Sequence, residues 1–127
     1  SRAKTAIKLP EKKFETEKKQ LESMYFQFLS SVRKGSLQNL IQMFSEDITL
    51  YNDGGGKVRA ALKPIFGLKK VSQFLIGVSK KPGNQNLRVR KIQVFHRPAL
   101  AFFSGKKLKS ILVLEISESK IQRIYVW

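Results

Sequence analysis

Beyond Lys80-Lys81-Pro82-Gly83 the apolar residues come in short runs separated by turn signals, as strands require and helices do not. Leu87 and Val89 alternate in one phase and Ile92 and Val94 in the other, which predicts a strand with a bulge near Arg90-Lys91. Ala99 to Phe103 follows, then a turn at Ser104-Gly105-Lys106 and a strand from Lys107 to Ser117. A turn near Glu118-Ser119-Lys120 leads into Ile121 to Trp127. Phe95, Phe102, Phe103, Tyr125 and Trp127 lie on these strands, interleaved with Arg88, Arg90 and Arg97. Two readings stand side by side: sheet core and cavity lining, or a platform on which unstacked bases lie.

The half before Pro82 is mostly helical. Leu21, Met24, Tyr25, Phe28, Leu29 and Val32 form an apolar stripe at spacings of three and four, with Thr16 as its expected cap and Gly35 as its end. Ser36 caps a shorter helix carrying Leu37, Leu40, Ile41 and Phe44, and Leu68, Val71, Phe74, Leu75 and Val78 mark a third. The first eight residues read as the end of another helix, stopped by Pro10. Helices followed by strands predict an α+β fold, three helices covering one face of a bent, mainly antiparallel sheet. Such a sheet around a long helix encloses a cone-shaped cavity, a natural site for a small apolar ligand.

Between the second and third helices, Ile48, Leu50 and Asn52 alternate with Thr49 and Tyr51, and Val58, Ala60 and Leu62 alternate with Arg59, Ala61 and Lys63. Asp53-Gly54-Gly55-Gly56-Lys57 is then a hairpin tip, with Pro64 ending the second strand. One glycine satisfies a tight turn, so three suggest a loop that another backbone or an oxyanion approaches closely, or a loose solvated one.

Composition narrows the chemistry. With 127 residues, 42% of them apolar, the chain suits one domain with a real core. It has no cysteine, which removes disulfides and thiolate metal sites and agrees with a reducing cytoplasm. Neither a membrane span nor a signal peptide is evident, and no membrane partner is expected. The single histidine and scattered carboxylates suggest no metal or other cofactor. Tyr51, Asp53 and His96 are the candidates for acid-base work, and Tyr51, His96, Phe102 and Tyr125 for a pocket or polar site. Asp53 on a loop tip lacks the burial that raises a carboxyl pKa. The net charge is +16, and no acidic residue occurs between Asp53 and Glu115. That field attracts polyanions or acidic protein surfaces.

The run Asp53-Gly54-Gly55-Gly56-Lys57-Val58-Arg59-Ala60-Ala61-Leu62-Lys63-Pro64-Ile65-Phe66-Gly67, preceded by Phe44-Ser45-Glu46-Asp47-Ile48-Thr49-Leu50, resembles the SnoaL-like C-terminal extension of certain bacterial extracytoplasmic-function sigma factors. The resemblance extends to the closing strand Ile121 to Val126, and Ser1-Arg2-Ala3-Lys4 is similar to the end of the promoter-reading helix of sigma region four. The family pattern continues beyond the last strand with an Asn-Pro-Asp-Lys-like segment, whereas this sequence ends at Trp127.

This resemblance implies a nuclear-transport-factor-2-like cone, residues 1–15 as a linker after sigma region four, and residues 16–127 as a non-enzymatic regulatory domain. It implies that Asp53, Gly54, Gly55, Gly56 and Lys57 contact sigma core regions two and four. The expected partners are those regions, RNA polymerase, and promoter DNA through the full-length factor. The same fold hosts polyketide cyclases and ketosteroid isomerases, so a cavity-binding module or an isomerase-like enzyme is the alternative.

Overall fold

A computed structural model describes the backbone of residues 2–52 and 63–127, and the side chains of residues 17–52 and 63–127. Helix α1 (Arg2–Lys34) is followed by α2 (Leu37–Met43), β1 (Phe44–Asn52), β2 (Ile65–Phe66), α3 (Leu68–Ser79), β3 (Arg88–Val94), β4 (Arg97–Ser104), β5 (Lys107–Ser117) and β6 (Lys120–Val126). The six strands form one mixed sheet in the order β2-β1-β6-β5-β4-β3, with β1 parallel to β6 and the other pairs antiparallel. The three helices pack on one face, giving the expected α+β architecture.

Helix α1 differs from expectation at its start. It is one helix through Pro10 and Thr16, so Pro10 does not end a first helix and Thr16 does not cap a second. The φ of proline is already helical, and the residue forfeits one hydrogen bond in a stretch otherwise rich in helix formers. Downstream the punctuation is as read. Gly35 ends α1 at φ +70°, and the Ser36 hydroxyl accepts the Asn39 amide at 3.3 Å to open α2. Phe44, expected on α2, instead begins β1, where it is buried.

The buried face of α1 carries Tyr25, Phe28 and Val32, which meet Leu40, Ile48, Leu50, Val71, Leu100, Leu114 and Ile124 in one core. Tyr25 does more than fill space. Its hydroxyl donates to the Pro98 carbonyl at 2.8 Å and accepts the Leu114 amide at 2.7 Å, so one helical side chain ties β4 to β5. Further out, Glu22 of α1 pairs with Lys91 of β3, and that hydrogen bond holds Glu22 below the usual carboxylate range.

Two strand expectations are corrected. The pairing with β1 lies after Pro64, as Thr49 opposite Phe66 and Leu50 opposite Ile65, so Pro64 precedes the paired strand. A proline lacks a ladder donor and suits a strand entry equally well. The stretch Val58 to Leu62, expected as that strand, lies outside the described residues. Nor does β3 bulge against its partner: its register with β4 is unbroken from Arg88 opposite Phe103 to Val94 opposite Arg97. Its apolar phase changes because Val89 packs toward the helices while Ile92 and Val94 face the opposite side. The irregularities fall instead between Phe102 and Phe103 and between Glu115 and Ile116.

Replacing Tyr25 with Phe removes both hydroxyl bonds and strands the Leu114 amide. We expect a loss of about 1–3 kcal/mol in urea unfolding. Burial also pushes the Tyr25 hydroxyl up from its ordinary 10.0. Between the two values the unfolded chain has lost the proton and the folded chain keeps it, so this contribution to stability falls as pH rises above about 10. A titration of stability from pH 9 to 11 should show that component in the wild type and not in Tyr25→Phe.

Candidate functional site

A cavity of about 490 Å³ opens between the C-terminal halves of α1 and α3 and the helix-covered face of the sheet. Its walls are the apolar ends of three stripes. Phe28, Leu29 and Val32 come from α1, Phe74, Leu75 and Val78 from α3, and Phe102, Leu112 and Val126 from β4, β5 and β6. The periods that build the core place them together.

Its polar groups gather where the two helices end. Arg33 lies in the last turn of α1, and Lys80 caps α3 and reaches Gly35, the two basic side chains in the described wall. Several neighbouring polar groups have structural work. Asn84 donates to the Val78 carbonyl at 2.9 Å and Gln85 to the Lys80 carbonyl at 3.1 Å, closing the carbonyls that α3 leaves open. The Ser79 hydroxyl donates to the Ile76 carbonyl at 2.8 Å. Asn52 at the end of β1 and Ser110 on β5 complete the polar lining. Among the described residues, neither a carboxylate nor an imidazole borders the cavity. The arrangement can enclose an apolar molecule and meet a polar or acidic group at its mouth.

The structure separates the residues that sequence reasoning grouped as a pocket. Phe102 forms part of the cavity wall. Tyr51 and Tyr125 are on the far face of the sheet, their rings stacked at 5.3 Å. Burial and the nearby Glu115 carboxylate, in that order, raise the Tyr125 hydroxyl. His96 shares a two-residue turn with Phe95, both at positive φ, and is exposed between β3 and β4. The stretch Asp53 to Lys57 lies outside the described residues. It follows directly on Asn52, a lining residue. Among the described residues no group of three or more His, Asp or Glu side chains assembles as a metal site.

Arg33, Lys80, Asn84 and Gln85 were not foreseen as lining residues. Their only sequence signal was helix termination, and it takes two helices ending together to make that signal a cavity mouth.

No protein-family model and no curated protein sequence matches the chain. Solved structures do. The extracytoplasmic function sigma factor SigJ of Mycobacterium tuberculosis matches with a TM-score of 0.65 and 16% identity, over 84% of this chain and 41% of that one. The chain thus spans about two-fifths of that sigma factor. A SnoaL-like protein of unknown function from Burkholderia thailandensis E264 matches at 0.60 and 8% identity, over 85% of this chain and 93% of that one. An LEH-like epoxide hydrolase from M. tuberculosis matches at 0.54 and 12%, over 87% and 83%. The fold is SnoaL-like, of the nuclear-transport-factor-2-like class. Its neighbours include a sigma factor, an epoxide hydrolase and proteins of unknown function. No helix among the described residues is long and apolar enough to cross a membrane.

Val78 faces the cavity from α3, so Val78→Trp should fill it. We expect an anionic naphthalene-sulfonate dye to fluoresce with the folded wild type and to bind Val78→Trp at least tenfold more weakly. Equal binding to both would place the dye elsewhere.

Proposed function

We propose that this chain is the C-terminal regulatory domain of an extracytoplasmic-function-type RNA polymerase sigma factor. In this reading the stretch Asp53 to Lys57 contacts sigma core regions two and four and biases their arrangement, and so tunes polymerase engagement and promoter opening. The observation that carries the proposal is the agreement between sequence and fold. The run from Phe44 to Gly67 resembles the sigma-linked extension, and the same chain folds like a sigma factor over 84% of its own length but 41% of that protein's.

The chemistry of this stretch suits such a contact. Glycines permit close backbone approach, and Asp53 and Lys57 each supply a charge-assisted hydrogen bond. Regulation of this kind needs a difference in contact free energy between two arrangements of the core. The cavity offers a means of changing it, because Asn52 lines the cavity and is followed at once by Asp53. A small apolar ligand in the cone would act beside the start of that stretch. A binding module also accords with the described wall, which offers apolar surface and cations but no general base. The alternative is an isomerase-like or hydrolase-like enzyme of the same fold, whose acid-base groups would have to come from outside those described residues.

Alanine at every position from Asp53 to Lys57 in the full-length factor should change promoter output severalfold in a reconstituted transcription assay, while thermal unfolding of the domain stays near wild type. Unchanged output from a folded variant would contradict the regulatory reading.

A further inference from the structure

The face of the sheet turned away from the helices has its own chemistry. Alternation places Tyr51, Ala101, Ile111, Val113 and Tyr125 there, because Leu50, Leu100, Leu112, Leu114 and Ile124 point into the core. Tyr51 and Tyr125 stack at 5.3 Å and 12°, and Tyr125 and Trp127 at 6.1 Å and 17°, forming a ladder of three near-parallel rings. Tyr125 takes one side of the indole, and Trp127 is 48% exposed. Trp127 exchanges two backbone hydrogen bonds with Ile111, at 3.0 and 2.9 Å, which holds it in the sheet.

Across the sheet from this ladder the face is basic. Ala101, covered by its neighbours, lies between Ile111 of β5 and Arg90 of β3. The same register puts Arg88 opposite Phe103, and Arg123 beside Thr49. Glu115 shares the face and is already engaged by Arg123 at 2.9 Å.

We propose that this face binds single-stranded nucleic acid, with bases continuing the stack from Trp127 and phosphates meeting Arg90 and Arg88, the latter already oriented by its hydrogen bond to the Gly105 carbonyl at 2.8 Å. Duplex fits poorly, because its bases are already stacked on one another, whereas an open strand offers both π-face and phosphate. A second copy of the chain fits poorly as well. Pairing the faces would bring together two chains of net charge +16, whereas a polyanion neutralises Arg90 and Arg88. The inference does not depend on the sigma-factor reading, since it rests on the rings, the arginines and the register alone.

Trp127 is the only tryptophan, so its fluorescence reports the site directly. The 127-residue chain is titrated with a 12-nucleotide oligothymidylate, the matching oligouridylate and a duplex of equal length, at two salt concentrations. The expected result is saturable quenching by the single strands, weaker at higher salt and weaker still with duplex. The two oligomers distinguish DNA from RNA as the source of the strand. Tyr125→Leu removes the ring that backs the indole and should weaken binding severalfold. Tyr125→Phe keeps the ring and should keep the affinity, which guards against a mere folding defect. Arg90→Gln should lower the slope of log affinity against log salt by about one. Absence of saturable quenching, duplex binding as tight as single-strand binding, or sedimentation as a stable dimer with Trp127 shielded from a small quencher would overturn the proposal.

Discussion

A single phenolic oxygen fixes the distance between the long helix and the sheet. Tyr25 sits deep on α1 and bonds to Pro98 of β4 and Leu114 of β5, so the helix is anchored across two neighbouring strands. Everything toward the C-terminal end of α1 is measured from that point. Phe28 and Val32 follow one and two turns later. Both line the cavity between the helices and the sheet. The anchor also serves the opposite face of the sheet. Holding Leu100, Leu112 and Leu114 against the helices requires Ala101, Ile111 and Val113 to face outward.

The two ends of the cavity wall have different characters for a shared physical reason. Helix C-termini expose carbonyls, and α1 and α3 end close together. Asn84, Gln85 and Ser79 satisfy carbonyls of α3, while Arg33 and Lys80 place positive charge against the negative ends of both helices. The mouth therefore owes much of its polarity to helix termination, and any ligand selectivity is built on groups that the fold already requires. The apolar walls carry no such double duty.

Much of this was legible in the sequence where the signal was local. Gly35, Ser36 and the stripe from Leu21 to Val32 mark helix boundaries and faces through backbone geometry and period, and the structure follows them. The α+β class followed from the change of period after Pro82. Pro10 misled because a proline penalises a helix without forbidding it, and the surrounding residues favour continuation. The β3 strand misled differently. A phase change in one strand is equally the mark of a bulge or of a regular strand with apolar groups on both faces, and only its pairing with β4 separates the two. Tyr51, Phe102 and Tyr125 looked alike as strand aromatics. Which face each occupies depends on register, so the sequence grouped three residues that the sheet divides.

Position ties the account together. β1 carries the chain along the sheet to Asn52 at the cavity, and the resemblance to sigma-linked extensions resides in the residues that come next. If the chain is joined to a sigma core as proposed, tethering lets weak contacts matter, since a short linker supplies an effective concentration of roughly millimolar. The most direct test is calorimetric titration of this chain into separately expressed sigma core regions two and four at two salt concentrations, with the Asp53 to Lys57 alanine variant in parallel. The account predicts saturable binding that weakens with salt and is lost in the variant. Absence of measurable heat at millimolar chain, or binding indifferent to that substitution, would contradict it.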